Sequence, residues 1–214
     1  MRLLLLAALV GLAGPAQAAE PAAKAPKLPA NFTATFVRAA TSGEAAGGTD
    51  RTRGMMFVRG AQYRFELNLS GRDPLFAIVF DFDKKSTTNL HLVDKTVSQE
   101  KVEDGRVVDM ILNVAWPIVR HALVEAPDDG DVQCGRDKHY LVKPSLGPKD
   151  QEKWDALQTR FSVCLSAKGL PSMAYVSTVE GGRPWRNVMT LDNVRVGTAK
   201  DADFRVPAGF KPAP

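Results

Sequence analysis

The segment Leu75-Phe76-Ala77-Ile78-Val79-Phe80 is apolar at six consecutive positions, and it constrains the fold more than any other part of the chain. Its length is that of a strand, and a strand apolar on both sides must be covered on both faces. Similar short runs surround it: Arg53 to Arg59, Gln62 to Leu69, Thr87 to Val93 and Thr96 to Val102. The separators Gly60-Ala61, Gly71-Arg72-Asp73-Pro74, Asp83-Lys84-Lys85 and Asp94-Lys95 are turn chemistry, so the runs read as an antiparallel meander. Upstream, Phe32, Ala34 and Phe36 alternate with Thr33, Thr35 and Val37, the period of a strand with one buried face. The glycine-containing stretch from Ala39 to Asp50 connects that strand to the meander.

After Asp104-Gly105 the period changes. Val107, Val108, Ile111, Leu112, Val114 and Ala115 recur at helical spacing and supply a cover for the apolar strand. Pro117 breaks that pattern and suits the opening of a second short helix through Ile118, Val119, Ala122 and Leu123. His139 to Lys143 reads as a strand and the polar segment Pro148 to Leu157 as a surface helix or insertion. Three more strands follow: Phe161 to Leu165, Pro171 to Val179 and Arg186 to Val196. The predicted architecture is α+β, a curved antiparallel sheet forming a half-open β-barrel closed by short helices.

The N-terminus carries an address rather than a fold. Arg2, the apolar run Leu3 to Leu12 and the small-x-small end Ala16-Gln17-Ala18 form a signal peptide over residues 1–18, with cleavage between Ala18 and Ala19. The run is too short for a permanent anchor, and no later stretch reaches the length of a membrane span, so the mature protein is expected to lack a transmembrane segment. The expected compartment is the periplasm. Residues 19–30, rich in Ala and Pro, read as a disordered leader, and residues 31–211 as one domain. A formal net charge of +4, spread along the chain, gives no footprint for nucleic acid. Cys134 and Cys164, an even pair in an exported chain, read as one structural disulfide, with two free thiols or a redox pair as the alternatives.

The order of elements resembles the periplasmic lipoprotein carrier (LolA) family. The motifs are Phe32-Thr33-Ala34-Thr35-Phe36, Gly54-Met55-Met56-Phe57-Val58-Arg59, Tyr63-Arg64-Phe65 and Ile78-Val79-Phe80-Asp81. A second resemblance, to uncharacterised periplasmic domains of similar fold, rests on Asp83-Lys84-Lys85 before Leu90, on Gly169-Leu170-Pro171 and on Phe204-Arg205-Val206-Pro207-Ala208-Gly209-Phe210. The family resemblance implies a half-open barrel with an apolar interior, and an arginine that holds the cavity shut when empty. Arg59 stands nearest to that arginine, but Gly60 replaces the proline that follows it in the family, and the spacing from Gly54 is one residue short. Arg59 is thus a candidate gate, with a strand-end surface arginine as the other reading.

Sites for chemistry are not specified locally. His91, His121 and His139 fall on different elements without zinc-site spacing, and the acidic stretch Asp128, Asp129, Asp131 lacks the ligand pattern of a calcium loop, so no metal and no cofactor are expected. No nucleophile elbow, P-loop or dinucleotide fingerprint occurs, and the chain reads as a non-enzyme. Asn31-Phe32-Thr33 matches a glycosylation sequon. What survives is apolar excess. Phe76, Ile78 and Phe80 on the central strand, with Ile111, Leu112, Trp116 and Ile118 from the helical segments, either line a cavity or pack a solid core. The expected function is non-catalytic binding of a lipid, a lipoprotein acyl chain or another amphiphile; the alternative is an envelope scaffold or sensor that binds another protein and has a solid interior.

Overall fold

A computed structural model describes residues 26–42, 50–68 and 74–214. The expected signal peptide, residues 1–18, and the expected disordered leader as far as residue 25 lie outside them, while residues 26–30 of that leader are described. Among the described residues twelve strands form one sheet: β1 (Asn31–Ser42), β2 (Asp50–Arg59), β3 (Gln62–Asn68), β4 (Phe76–Asp81), β5 (Ser86–His91), β6 (Thr96–Lys101), β7 (His121–Glu125), β8 (Lys138–Pro144), β9 (Arg160–Leu165), β10 (Pro171–Glu180), β11 (Arg183–Val196) and β12 (Lys211–Pro212). Helix α1 (Val107–Val114) lies between β6 and β7, and α2 (Pro148–Ala156) between β8 and β9. The spatial order is β12-β6-β5-β4-β3-β2-β1-β11-β10-β9-β8-β7, antiparallel except for the β12/β6 pair. β1 joins the two meanders by pairing with both β2 and β11. The sheet is curved and unclosed, consistent with a half-open barrel.

Strand alternation decides which residues face inward. Phe32, Ala34 and Phe36 of β1, Met56 and Val58 of β2, Phe65 of β3, Phe161 and Val163 of β9 and Met189 and Leu191 of β11 share one buried cluster with Val108, Ile111 and Val114 of α1. Gly54 sits opposite Phe36 within this face, and a Cβ there would collide with the main-chain oxygen of Glu66 and lie 2.8 Å from the Phe36 ring. Glycine therefore permits the close approach on which the Phe36–Phe65–Phe80 series of edge-on ring contacts depends, with centroids 6.3 and 6.0 Å apart.

The apolar strand is covered on both faces, as its sequence requires, but by two different parts of the chain. Phe80 joins the cluster that contains α1. Ala77 and Val79 on the reverse face pack with Leu90 under Phe204 and Phe210. Arg64 is buried beneath the same C-terminal segment, where it holds Glu66 at 2.7 Å and donates to the Asp203 carbonyl at 2.9 Å.

The helix expected through Ile118, Val119, Ala122 and Leu123 is instead an irregular turn followed by strand β7. Leu123 alone of His121–Glu125 is buried, while Ala122 and Val124 are exposed, and the segment pairs along its length with β8. Hydrogen bonds to a strand more than a dozen residues away outweigh a local spacing that suits a helix equally well. The polar segment from Pro148 is a helix, with proline in its first turn.

Cys134 and Cys164 form a disulfide. It pins the loop before β8 to the outer face of β9, where Val132, Cys164 and Tyr175 make a separate buried cluster. The acidic stretch is part of this attachment. Asp129 pairs with Arg160 and accepts the amides of Asp131 and Val132, and Asp131 pairs with Arg186 at 2.8 Å.

Candidate functional site

At one end of the half-barrel three turns and the start of β1 converge on a groove of about 630 Å³. Phe32 opens β1, Val58 and Tyr63 flank the β2–β3 turn, Phe82 and Asp83 begin the β4–β5 turn, and Trp116 to Leu123 connect α1 to β7. Residues Pro26 to Ala30 form the facing wall. The Gly60 amide donates to the Ala30 carbonyl at 2.7 Å, fixing that wall to the β2–β3 turn, and Leu28 packs against the main core.

The floor is apolar and buried. Phe32, Trp116 and Ile118 are at most 1% exposed, and the Phe32 and Trp116 rings meet edge-on with centroids 5.7 Å apart. The polar groups sit around it. Burial, with the charge of Asp83 adding to it, pushes the Tyr63 phenol up to about 12, so the hydroxyl stays protonated and can donate. Burial lowers the pKa of His121, whose Nδ1 lies 2.8 Å from the Val119 carbonyl. A carbonyl can only accept, so Nδ1 carries the proton in the neutral ring. Lys27, Arg120 and Asp83 are exposed at the rim.

Two of the residues expected to line a cavity, Trp116 and Ile118, line this groove. Phe80 borders a smaller hollow of about 120 Å³ beside Val107 and Met110. Ile78 is half-buried against the main core, and Phe76 stacks edge-on with His91 at 5.3 Å. Ile111 is fully buried on α1, and Leu112 is half-buried with its carbonyl held by Asn187 at 2.9 Å. The set is thus distributed between a groove, a hollow and a packed core, with Phe76 outside all three against His91. The groove residues that sequence reasoning missed, among them Val58, Tyr63, Phe82 and Leu123, each lie beside a turn, and a shared position at strand ends is the signal that could have grouped them.

Arg59 lies on the strand face opposite Met56 and Val58. It pairs with Asp201 at 3.0 Å and donates to the Ala199 carbonyl at 3.3 Å, tying the end of β2 to the C-terminal segment. Asn31 is also occupied: its side-chain amide exchanges two hydrogen bonds with the main chain of Ala199, at 3.0 and 3.1 Å. His91, His121 and His139 stand on β5, β7 and β8, and His139 Nδ1 lies 2.8 Å from the Pro127 carbonyl. Among the described residues no group of three or more His, Cys, Asp or Glu is placed to hold a metal ion, and no helix is long and apolar enough to cross a membrane.

No family model and no curated protein matches the chain by sequence. Among solved structures, it is similar to a LolA superfamily protein from Nitrosomonas europaea, with TM-score 0.46 and 8% identity over 83% of this chain and 90% of the other. It is also similar to an outer membrane lipoprotein-sorting protein domain from Vibrio parahaemolyticus, with TM-score 0.42 and 9% identity over 82% and 89%. A third similarity is to MucB in complex with MucA, with TM-score 0.36 and 16% identity over 83% of this chain and 54% of that protein.

Proposed function

We propose that the protein is exported to the periplasm, where its single domain binds an amphiphile without catalysis, taking an acyl chain into the groove at the end of the half-barrel. The observation that carries this reading is the groove itself: about 630 Å³ of space lined by Leu28, Phe82 and Ala122, which keep accessible apolar surface, above the buried Phe32, Trp116 and Ile118. That volume falls within the roughly 300–1,000 Å³ of small-ligand sites. Burial of each methylene contributes about 0.8 kcal/mol, and a floor already packed limits the ordering cost. Helix α1 serves as the cover of the concave face, a role supported by the burial of Val108, Ile111 and Val114 among sheet residues. The export signal in residues 1–18 supports the compartment.

A second reading, an envelope protein that binds a protein partner and carries no ligand, is favoured by that same burial, because α1 fills the concavity where a larger ligand would sit. Native mass spectrometry of protein purified from the envelope separates the two. The amphiphile reading expects a bound mass that organic solvent removes, and a mature N-terminus at Ala19. Bare protein that takes up no lipid on incubation with membranes would support the second reading.

A further inference from the structure

The rim of the groove carries three charges, and they do not balance. Lys27 and Arg120 are positive, Asp83 is negative, and all three are exposed. Among the described residues none of them has an ion-pair partner, whereas Arg59, Lys84, Lys85, Lys138, Lys153, Arg160 and Arg186 all do. His121, beside Arg120, is neutral above its lowered pKa and adds no charge. The rim therefore offers one net positive charge above an apolar floor, with the protonated Tyr63 hydroxyl as an uncharged donor.

We propose that the groove takes a single-chain monoanionic amphiphile, a long-chain carboxylate, with its chain against Leu28, Phe82 and Ala122 and its headgroup between Lys27 and Arg120. This deepens the binding role proposed above and rests on it. A monoanion matches the net charge of the rim, and a guanidinium can hold both carboxylate oxygens at once. A dianionic phosphate would leave one charge uncompensated and would meet Asp83.

The test uses three ligands of one chain length, myristate, tetradecanol and tetradecyl phosphate, titrated calorimetrically into lipid-stripped protein. Myristate is expected to bind up to about fivefold tighter than tetradecanol, the size of one favourable surface charge interaction. Lys27→Ala and Arg120→Ala should each weaken myristate about fivefold and leave tetradecanol unchanged, while Asp83→Asn should tighten myristate. All three positions are exposed, so the variants fold. Equal affinity for myristate and tetradecanol would overturn the headgroup assignment and leave the groove intact as an apolar site. Tighter binding of tetradecyl phosphate than of myristate would overturn the preference for a monoanion. Absence of saturable binding by all three would overturn both this assignment and the binding role beneath it.

Discussion

The carboxylate of Asp150, on α2, accepts the main-chain N–H of Val107 at 2.9 Å, across 43 residues of chain, and so caps α1 from outside. The same carboxylate takes the amides of Gly105 at 3.1 Å and Val108 at 3.3 Å, while Arg106, the residue at the N-cap position, makes no side-chain cap. At the other end Asn187 holds the Leu112 carbonyl and Arg38 donates to that of Asn113. An acid at the N-terminus and a base at the C-terminus oppose the helix dipole, and tertiary partners satisfy groups that an eight-residue helix leaves open. Asp150→Ala is predicted to cost about 2–3 kcal/mol, because three amides, one of them fully buried, lose their acceptor. Calorimetry should show Tm lowered by roughly 4–10 °C, with Asp150→Asn less affected. An unchanged Tm would contradict the capping role.

The disulfide closes a loop over a sequence separation of 30 residues. Replacing both Cys134 and Cys164 with serine is predicted to lower stability by about 3–4 kcal/mol in the chain-entropy account. Denaturant unfolding measures the loss. Non-reducing peptide mapping of the wild type should recover the two cysteines in one cross-linked fragment.

His121 sets a pH dependence whose direction follows from its burial. Desolvation holds its pKa below the ordinary 6.5, and the bond to the Val119 carbonyl offsets only part of that effect. The unfolded chain therefore takes up a proton at a pH where the folded chain does not. The contribution is fully present above pH 6.5 and is lost as pH falls from there toward the folded value. His121→Asn should flatten the stability profile in that window, and an unaltered slope would contradict the placement of the ring.

The alternation of Phe32, Ala34 and Phe36, the turn residues of the meander and the helical spacing from Val107 were legible because each is local, and so was the need to cover β4 twice. Which segments do the covering was not. Phe204 and Phe210 reach the reverse face of β4 from more than a hundred residues away, and nothing in their own neighbourhood points there. β7 was missed because Ile118, Val119, Ala122 and Leu123 satisfy a helical period locally, while pairing with β8 decides the outcome. Asp150 lies in a polar stretch whose sequence marks it only as surface, yet it is 3% exposed. The groove was half legible: Trp116 and Ile118 stand out as apolar in the sequence, but the residues that meet them come from turns that only the folded sheet brings together.

Ile111 is fully buried, so Ile111→Trp would overpack a solid core at a cost of about 1–3 kcal/mol and would report on folding rather than binding. Ala122 is the better probe, being exposed on β7 and part of the groove wall. The most direct test of the binding role is therefore fluorescence titration of wild type and Ala122→Trp with an acyl probe. Saturable micromolar binding by the wild type is expected, with about tenfold or greater weakening in the variant. Tm should hardly move, since an exposed substitution stays within about 0.5 kcal/mol. Equal affinity for the two proteins, or no saturable binding by the wild type, would contradict the account.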